Sequence, residues 1–536
     1  MKRVLAAAFL AAAFLAALAV PAVHAQPAGG PGPYANDRDL ASAGKFAARE
    51  ADWRCGAIVY QVLVDRFVPP KDLEAKRALY PAPKQLRGWD ETPRKGTFVD
   101  AANVWSHEIE FWGGDLDGVQ TKLDHVAQFA DVLYLNPIHL AYTNHKYDAQ
   151  DYFKVSPEFG TREDVVELAK ATEEKGLKLV LDGVLNHMGR TSPFFQEAMA
   201  DPRSPWREWY CIGPQYGKGY RAWVNVPNLP EVNLESETVR SRLWGDPDSV
   251  IQGYLRDGVD GWRLDVAFDI GFRYLDELTR AAHAAKPGSL IIGEIWNYPE
   301  EWIPSVDGVM NMTLREQVLA FCRGQIHPAT AGRQIERMVE DVGMDGMLRS
   351  WWILDNHDTP RLRNLLAEEW QQRMAQTLQF TLPGSPCVYY GVEVGMTGGD
   401  DPEQRGPMRW DLANDSNPQY VFQKKLVAMR RGSRALRIGD FRLLDTRTAL
   451  GFLRRTDRVE EMRMVLANPT DQPAEEFFPI RDSKIMSYAR FRDEFSGTEA
   501  TVMAGTLAIE IPPRTIRVFR PVIERGTEYT PYKRVQ

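Results

Sequence analysis

Short apolar runs separated by helix-like stretches organise most of this chain. Residues 57–67 read A-I-V-Y-Q-V-L-V-D-R-F, apolar enough to predict a buried strand. Residues 116–130 carry apolar positions at helical spacing, and 132–138 form a second strand ending at Asn-Pro. A helix over 161–175 follows, opened by T-R-E-D, in which a threonine caps the first turn. Further strands are expected at 177–184, 261–266, 289–295, 308–312, 348–354 and 386–390. Strands alternating with helices over this length imply a parallel sheet covered by helices. Eight of them fit an α/β (β/α)8 TIM barrel.

Two stretches break the alternation. Between the third strand and a helix near Ser249 lie roughly sixty residues rich in Trp, Pro and Gly, far beyond an ordinary connection. Residues 189–240 are therefore read as an inserted subdomain. From about Arg437 the pattern becomes short alternating runs, such as A-L-G-F-L-R-R and T-L-A-I-E-I. These predict an antiparallel β-sandwich over 437–536, leaving 51–436 for the barrel.

The first residues read as a processing segment. Lys2 and Arg3 precede an apolar stretch from Val4 to Val20, and Val23-His24-Ala25 resembles a cleavage site. A signal peptide over 1–25 and a flexible lead-in over 26–50 are expected. The protein is then exported, to the periplasm or beyond, with no membrane insertion after cleavage. Composition changes little: 44% hydrophobic and 26% charged residues in 536 allow a large core. A net charge of -8 without a basic run argues against nucleic acid as a partner. Cys55, Cys211, Cys322 and Cys387 are widely spaced and match no metal motif, leaving disulfides and buried free thiols both open.

The chemistry lies where strands end. D-G-V-L-N-H carries Asp182, Asn186 and His187, and G-W-R-L-D-V carries Arg263 and Asp265. L-I-I-G-E-I-W carries Glu294, and I-L-D-N-H-D-T-P-R carries His357 and Asp358. Charged groups at the end of apolar strands are costly unless paired or used. Strand alternation puts Arg263 and Asp265 on one face, where the guanidinium is expected to keep Asp265 ionised. Ile295 and Trp296 are expected to give Glu294 an apolar setting that favours its neutral form. Two carboxyls in different protonation states, about 5–5.5 Å apart, are what sugar cleavage with retention requires.

With L-P-E-V-N at 229–233, the set and order of these motifs resembles glycoside hydrolase family 13, the α-amylase family, over about 57–435. N-H-K-Y-D-A-Q-D-Y-F and G-G-D-D-P-E-Q-R-G-P-M-R-W are similar to its cyclomaltodextrinase, neopullulanase and maltogenic amylase group. The resemblance implies Asp265 as nucleophile, Glu294 as general acid/base and Asp358 as the clamp on the sugar in the transition state. It implies substrate contacts from Tyr147, His187, Arg263 and His357, with Tyr147 stacking on a ring. Asp182 is read as a structural partner of Arg263, and Asp148 as a loop fixer. Trp112, Trp209, Trp223, Trp296 and Trp351 are candidate sugar platforms, most of them expected to be packed. The implied substrates are α-1,4-linked maltodextrins, cyclodextrins or starch-like glucans.

The chain departs from that group in several places. Asp269 stands where the group has Glu, and Phe268 where it has Asn or Lys. No extra N-terminal β domain fits before Ala51. The loop after Phe67 lacks the Asn/Asp cluster of the group's calcium site, although Gly113 and Asp115 match the rest of it. No cofactor is required and no metal ligand is assigned; calcium, which takes about six or more oxygens, is not predicted. Two other readings stay open. One is a transglycosylase or isomerase using a sugar hydroxyl in place of water; the other is a non-catalytic α-glucan-binding protein. The oligomeric state is not set.

Overall fold

A computed structural model describes residues 37–523. The expected signal peptide lies outside the described residues. Eight parallel strands close into a barrel: β1 Val59–Val62, β2 Val132–Leu135, β3 Lys178–Gly183, β4 Gly261–Leu264, β5 Leu290–Ile295, β6 Gly308–Asn311, β7 Trp351–Ile353 and β8 Ser385–Tyr389. Val59 closes the ring by pairing with both Cys387 of β8 and Val132 of β2.

The barrel interior explains why charge appears where it does. Val59, Val132, Tyr134, Val180, Leu290, Ile292, Met310, Trp351 and Ile353 form one buried cluster. Side chains alternate along a strand, so the next inward position after Val180 is Asp182 and after Ile292 is Glu294. Each inward series thus runs from apolar to charged toward the C-terminal strand ends.

Several elements are shorter than their apolar runs. The run over 57–67 bends after Val62 into a helical turn, Val64–Phe67. Asp65 causes the bend, because its carboxylate accepts the N–H groups of Trp112 and Gly113 at 3.0–3.1 Å. The helix expected over 116–130 is two helices, Leu116–Thr121 and Leu123–Phe129, hinged at Lys122. Residues expected to start β7 belong instead to the helix Met344–Arg349.

The flexible lead-in expected over 26–50 is corrected for its described part. Asp37–Ala51 is a helix. Phe46 is buried with Cys55, Leu348 and Ile438, and Arg49 is clamped between Asp345 at 2.6 Å and Asp440 at 2.8 Å. Lys45 adds a second contact to Asp440 at 2.6 Å, and Glu50 accepts from Arg434 at 2.7 Å.

The residues between β3 and β4 pack as a loop-rich insertion. The helix Pro193–Ala200 leads into isolated pairings of Tyr210 with Val232, Ile212 with Tyr220 and Ala222 with Pro230. After the barrel come β9 Asp440–Leu443, β10 Leu450–Arg455, β11 Arg463–Asn468, β12 Ala474–Pro479, β13 Arg490–Asp493, β14 Glu499–Thr501, β15 Thr506–Ile511 and β16 Thr515–Pro521. They form a six-stranded antiparallel sheet, ordered β9-β10-β11-β16-β13-β14, and a two-stranded partner, β12-β15. Leu453, Leu466, Phe478, Phe491 and Leu507 fill the core between them. All four cysteines are free thiols, three of them buried. Among the described residues, no helix is long and apolar enough to cross a membrane.

Candidate active site

Arg263 sits at the C-terminal mouth of the barrel with no exposed surface. Its Nη1 donates to Asp182 Oδ1 at 2.8 Å and Asp265 Oδ1 at 3.0 Å, and its Nη2 lies 3.0 Å from Glu294 Oε2. One guanidinium therefore faces three buried carboxyls from β3, the end of β4, and β5. Charge balance on those four groups is met only if protons are retained. Burial raises Asp265 well above the ordinary carboxylate range; Arg263 opposes the shift, while Glu294 and Asp182 add to it. Burial also raises Asp182, against the pull of Arg263 and Tyr134. Burial works against the charge on Arg263, but Asp182 and Glu294 outweigh it and hold the guanidinium well above its usual range.

Two expectations are corrected here. Arg263 does not by itself keep Asp265 ionised, because burial among like charges wins. Glu294 is not in an apolar setting: its carboxyl accepts the Val266 N–H at 2.8 Å and Trp296 Nε1–H at 3.0 Å. The backbone makes the first of these. Val266 lies at φ 41°, ψ 45°, a left-handed conformation that a β-branched side chain resists. That kink ends β4, starts the helix Ala267–Ala285 and turns an N–H toward Glu294, strain of the kind stored at functional sites.

Asp358 is set by the loop after β7. Its N–H donates to Asn356 Oδ1 at 3.0 Å, and Arg405 approaches its carboxyl at 3.4 Å while donating to the His357 carbonyl at 2.8 Å. Burial raises Asp358 above the usual range, against Arg405 and Arg263. His357 Nδ1 faces the Gln61 amide nitrogen at 2.9 Å, so that nitrogen accepts and Nε2 carries the proton. Nε2 lies 2.6 Å from the Tyr147 hydroxyl and 3.0 Å from Asp358. Burial, then Arg263 and Arg405, push His357 well below its ordinary value and keep the ring neutral.

A cavity of about 440 Å3 opens above this cluster, within the usual size of a small-ligand site. Asp265, Glu294, Asp358, Tyr147 and His187 line it. His187 is buried, neither ring nitrogen makes a close protein hydrogen bond, Nε2 stands 3.8 Å from Asp265 Oδ2, and burial pushes the ring down to about 4. A neutral imidazole whose nitrogens are not hydrogen-bonded suits a hydroxyl ligand. The loop bearing it is fastened to the insertion by Val232 N–H to the Asn186 carbonyl at 2.9 Å and Met188 N–H to the Pro230 carbonyl at 3.0 Å. Tyr147 stacks on His357 at 5.2 Å and donates its hydroxyl to Asp182 at 2.9 Å. Asp148 accepts the Thr143 N–H at 3.2 Å and so fixes the loop.

Arg263 and His357, expected to touch substrate, instead lie beneath the lining, their polar atoms taken up by protein partners. Of the five tryptophans, Trp223 and Trp296 reach the cavity, while Trp112, Trp209 and Trp351 are buried. Glu108, His145, Asp401 and Arg405 also line it and were not singled out from the sequence. Burial, which works upward on Asp401, is outweighed by His107 and Arg405, leaving it at about 2.

Paired carboxyls sharing one guanidinium at the mouth of an eight-stranded barrel, under a cavity walled by aromatic rings, imidazoles and further charged groups, are the arrangement of a glycosidase. The profile of the alpha amylase catalytic domain matches residues 62–429, and the chain belongs to the α-amylase family. It is 31% identical over 479 residues to a cyclomaltodextrinase of Geobacillus thermopakistaniensis (strain MAS1), covering 86% of this chain and 76% of that protein. Neopullulanase 2 of Thermoactinomyces vulgaris is 30% identical over 406 residues, 73% of this chain and 65% of that one. Among solved structures, the ligand-free cyclic α-maltosyl-(1→6)-maltose hydrolase of Arthrobacter globiformis superposes with a TM-score of 0.72 at 27% identity, over 87% of this chain and 99% of that chain.

The raised Asp265 has a consequence for stability. The folded protein holds a proton there at pH values where the unfolded chain, near the ordinary 3.8, has released it. Stability of the wild type therefore falls as pH rises through that window. Asp265→Asn is expected to melt at or above the wild-type temperature at pH 7, with the advantage shrinking toward pH 4, by scanning calorimetry. A variant that melts equally far below wild type at both pH values contradicts this.

Proposed function

We propose that this glycosidase cleaves α-1,4-glucosidic bonds of short or cyclic α-glucans with retention of configuration. Asp265 and Glu294, bridged by one guanidinium and lining one cavity, carry the reading. That arrangement is compatible with the separation of about 5–5.5 Å at which one carboxyl attacks the anomeric carbon and the other serves the leaving oxygen.

On this reading the proton held within the carboxyl cluster passes to Glu294 as substrate binds; Asp265, then a carboxylate, attacks C1 and forms a glycosyl ester, while Glu294 gives that proton to the departing glycosidic oxygen. Glu294 then takes a proton from water, whose oxygen attacks C1 and releases Asp265. Asp358 and His187 hold sugar hydroxyls, and the Tyr147 ring carries the C–H face of the sugar. Arg263 and His357 position the acids without touching sugar. A buried proton is available to the cluster before substrate binds, and Trp296 and the Val266 N–H fix the orientation of Glu294. The relatives named cyclomaltodextrinase and neopullulanase, and the hydrolase of a cyclic maltosyl-maltose, support an α-glucan substrate. No dissociable metal or organic cofactor enters any step.

The departures at Phe268 and Asp269 bear on the acceptor side. Asp269 does not reach freely toward a sugar: its Oδ2 accepts Trp223 Nε1–H at 2.8 Å. Trp223 stacks over His187 at 5.4 Å, and Val224 next to it is held at φ 46°. The pair thus latches the insertion to the barrel and presents Trp223 as an acceptor wall. This favours capture of a second sugar, and transfer products beside hydrolysis.

We further propose that the chain is exported. The basic start at Lys2 and Arg3 and the apolar stretch from Val4 to Val20 support this. Secreted protein is expected to begin at Gln26, and N-terminal sequencing that finds Met1 in the exported fraction overturns it.

Two measurements test the enzymology. Nuclear magnetic resonance of the first product from maltotriose should show the α-anomer. Glu294→Gln should lower kcat on maltotriose by about 10²–10⁴-fold, yet retain most of the rate of the first, stoichiometric release of fluoride from a glucosyl fluoride, whose leaving group needs no proton. A β-anomeric first product, or equal losses on both substrates, refutes the assignment. Asp269→Ala should cut the ratio of transfer to hydrolysis roughly two- to tenfold, the equivalent of ~0.5–1.5 kcal/mol of aromatic stacking, with hydrolysis little changed. An unchanged product ratio removes the latch from the account.

A further inference from the structure

The loop cluster beside the barrel mouth holds a cation of the protein's own. Lys76 Nζ lies 2.6 Å from Asp115 Oδ2, 2.8 Å from the Gly113 carbonyl oxygen and 3.0 Å from the Glu158 carbonyl oxygen. An ammonium has three protons and no acceptor, and here each proton has an oxygen. The Lys76 side chain is only 16% exposed, so the contact is not a loose surface pairing. Asp115 serves twice: its other oxygen accepts the Gly118 N–H at 2.7 Å and caps the helix Leu116–Thr121. Gly113 holds φ 81°, a conformation few side chains tolerate, and its N–H is fixed by Asp65 at 3.0 Å.

Gly113 and Asp115 are the two residues that match part of the calcium site of the resembled group. The residues present do not fit that ion. A calcium ion takes six to eight oxygens at about 2.3–2.6 Å, and an ammonium already stands among the oxygens here. Among the described residues, no three His, Cys, Asp or Glu side chains gather to hold a metal. A dication entering the cradle meets like charge unless Lys76 leaves it.

We propose that Lys76 is the resident cation of this cradle, so that these loops are ordered without calcium. The arrangement matters to the site through a chain of contacts. Asp65, which holds the Gly113 N–H, pairs with Arg66 at 2.7 Å. Arg66 lies over the Trp112 ring at 3.8 Å and donates to the Arg405 carbonyl at 2.6 Å. Arg405 in turn reaches Asp358. Lys76 is therefore a positioning residue, and its effect falls on stability before it falls on turnover. This inference does not depend on which glucan the enzyme cleaves.

The test uses the full chain, with calcium measured by elemental mass spectrometry and melting followed by calorimetry in EDTA and in calcium chloride. The wild type should carry far less than one calcium per chain and melt at the same temperature in both buffers. Lys76→Met should melt roughly 3 °C or more lower in EDTA, and so should Asp115→Asn. The double variant should melt no lower than the poorer single, because both remove one shared interaction. One calcium per wild-type chain, a wild-type melting temperature that falls in EDTA, a Lys76→Met protein that melts like wild type, or fully additive losses would each overturn the proposal. If Lys76→Met fails to fold, the wild-type metal content and its response to EDTA still decide.

Discussion

The Arg263 guanidinium, sealed inside the barrel mouth against Asp182, Asp265 and Glu294, is the interaction on which the rest depends. Three strands deliver those carboxyls to one point, and a closed barrel is what brings the strands together. Without the guanidinium the three acids would repel one another in a place that water does not reach. With it, they stay together at the expense of retained protons. The same crowding that makes a proton available for sugar cleavage also weakens the fold at neutral pH, so stability and chemistry pull in opposite directions here.

Around that hub the loops act in layers. The turn after β7 sets Asp358, and Arg405 from a distant loop holds that turn by the His357 carbonyl. The insertion after β3 covers the other side through Trp223, tied to Asp269 just beyond β4. Lys76, Asp65 and Arg66 brace the outer wall. Each layer is made of charged or polar groups satisfied by protein partners, which leaves the nitrogens of His187, without a close hydrogen bond, among the groups facing the cavity. Aromatic faces, imidazole nitrogens and carboxyls gathered over an acid pair offer a sugar both stacking surfaces and hydrogen-bond partners for its hydroxyls.

Much of this was legible in the chain because strand ends announce themselves. An apolar run that stops at Asp, Arg or Glu marks a barrel mouth, and period-two alternation put Arg263 and Asp265 on one face. What could not be read was whether a residue touches the ligand or stands behind it. Arg263 and His357 carry the right chemistry at the right strand ends, yet their polar atoms are spent on neighbours brought in by the fold. Glu108, His145, Asp401 and Arg405 reach the cavity from loops, where no periodicity marks orientation. The helix Asp37–Ala51 escaped notice because its docking rests on a single large apolar residue, Phe46, and on ion pairs made by a polar stretch. The setting of Glu294 was misjudged for a similar reason: its backbone donor comes from a strained Val266 that composition does not reveal.

The central claim is that Asp265 makes the covalent bond to sugar while Glu294 handles the proton. Its most direct test is trapping with a 5-fluoro-α-glucosyl fluoride, followed by proteolysis and mass spectrometry of the labelled peptide. One glycosyl adduct per chain is expected, on Asp265. An adduct on Glu294 or Asp358, or inactivation with no adduct at all, would contradict it.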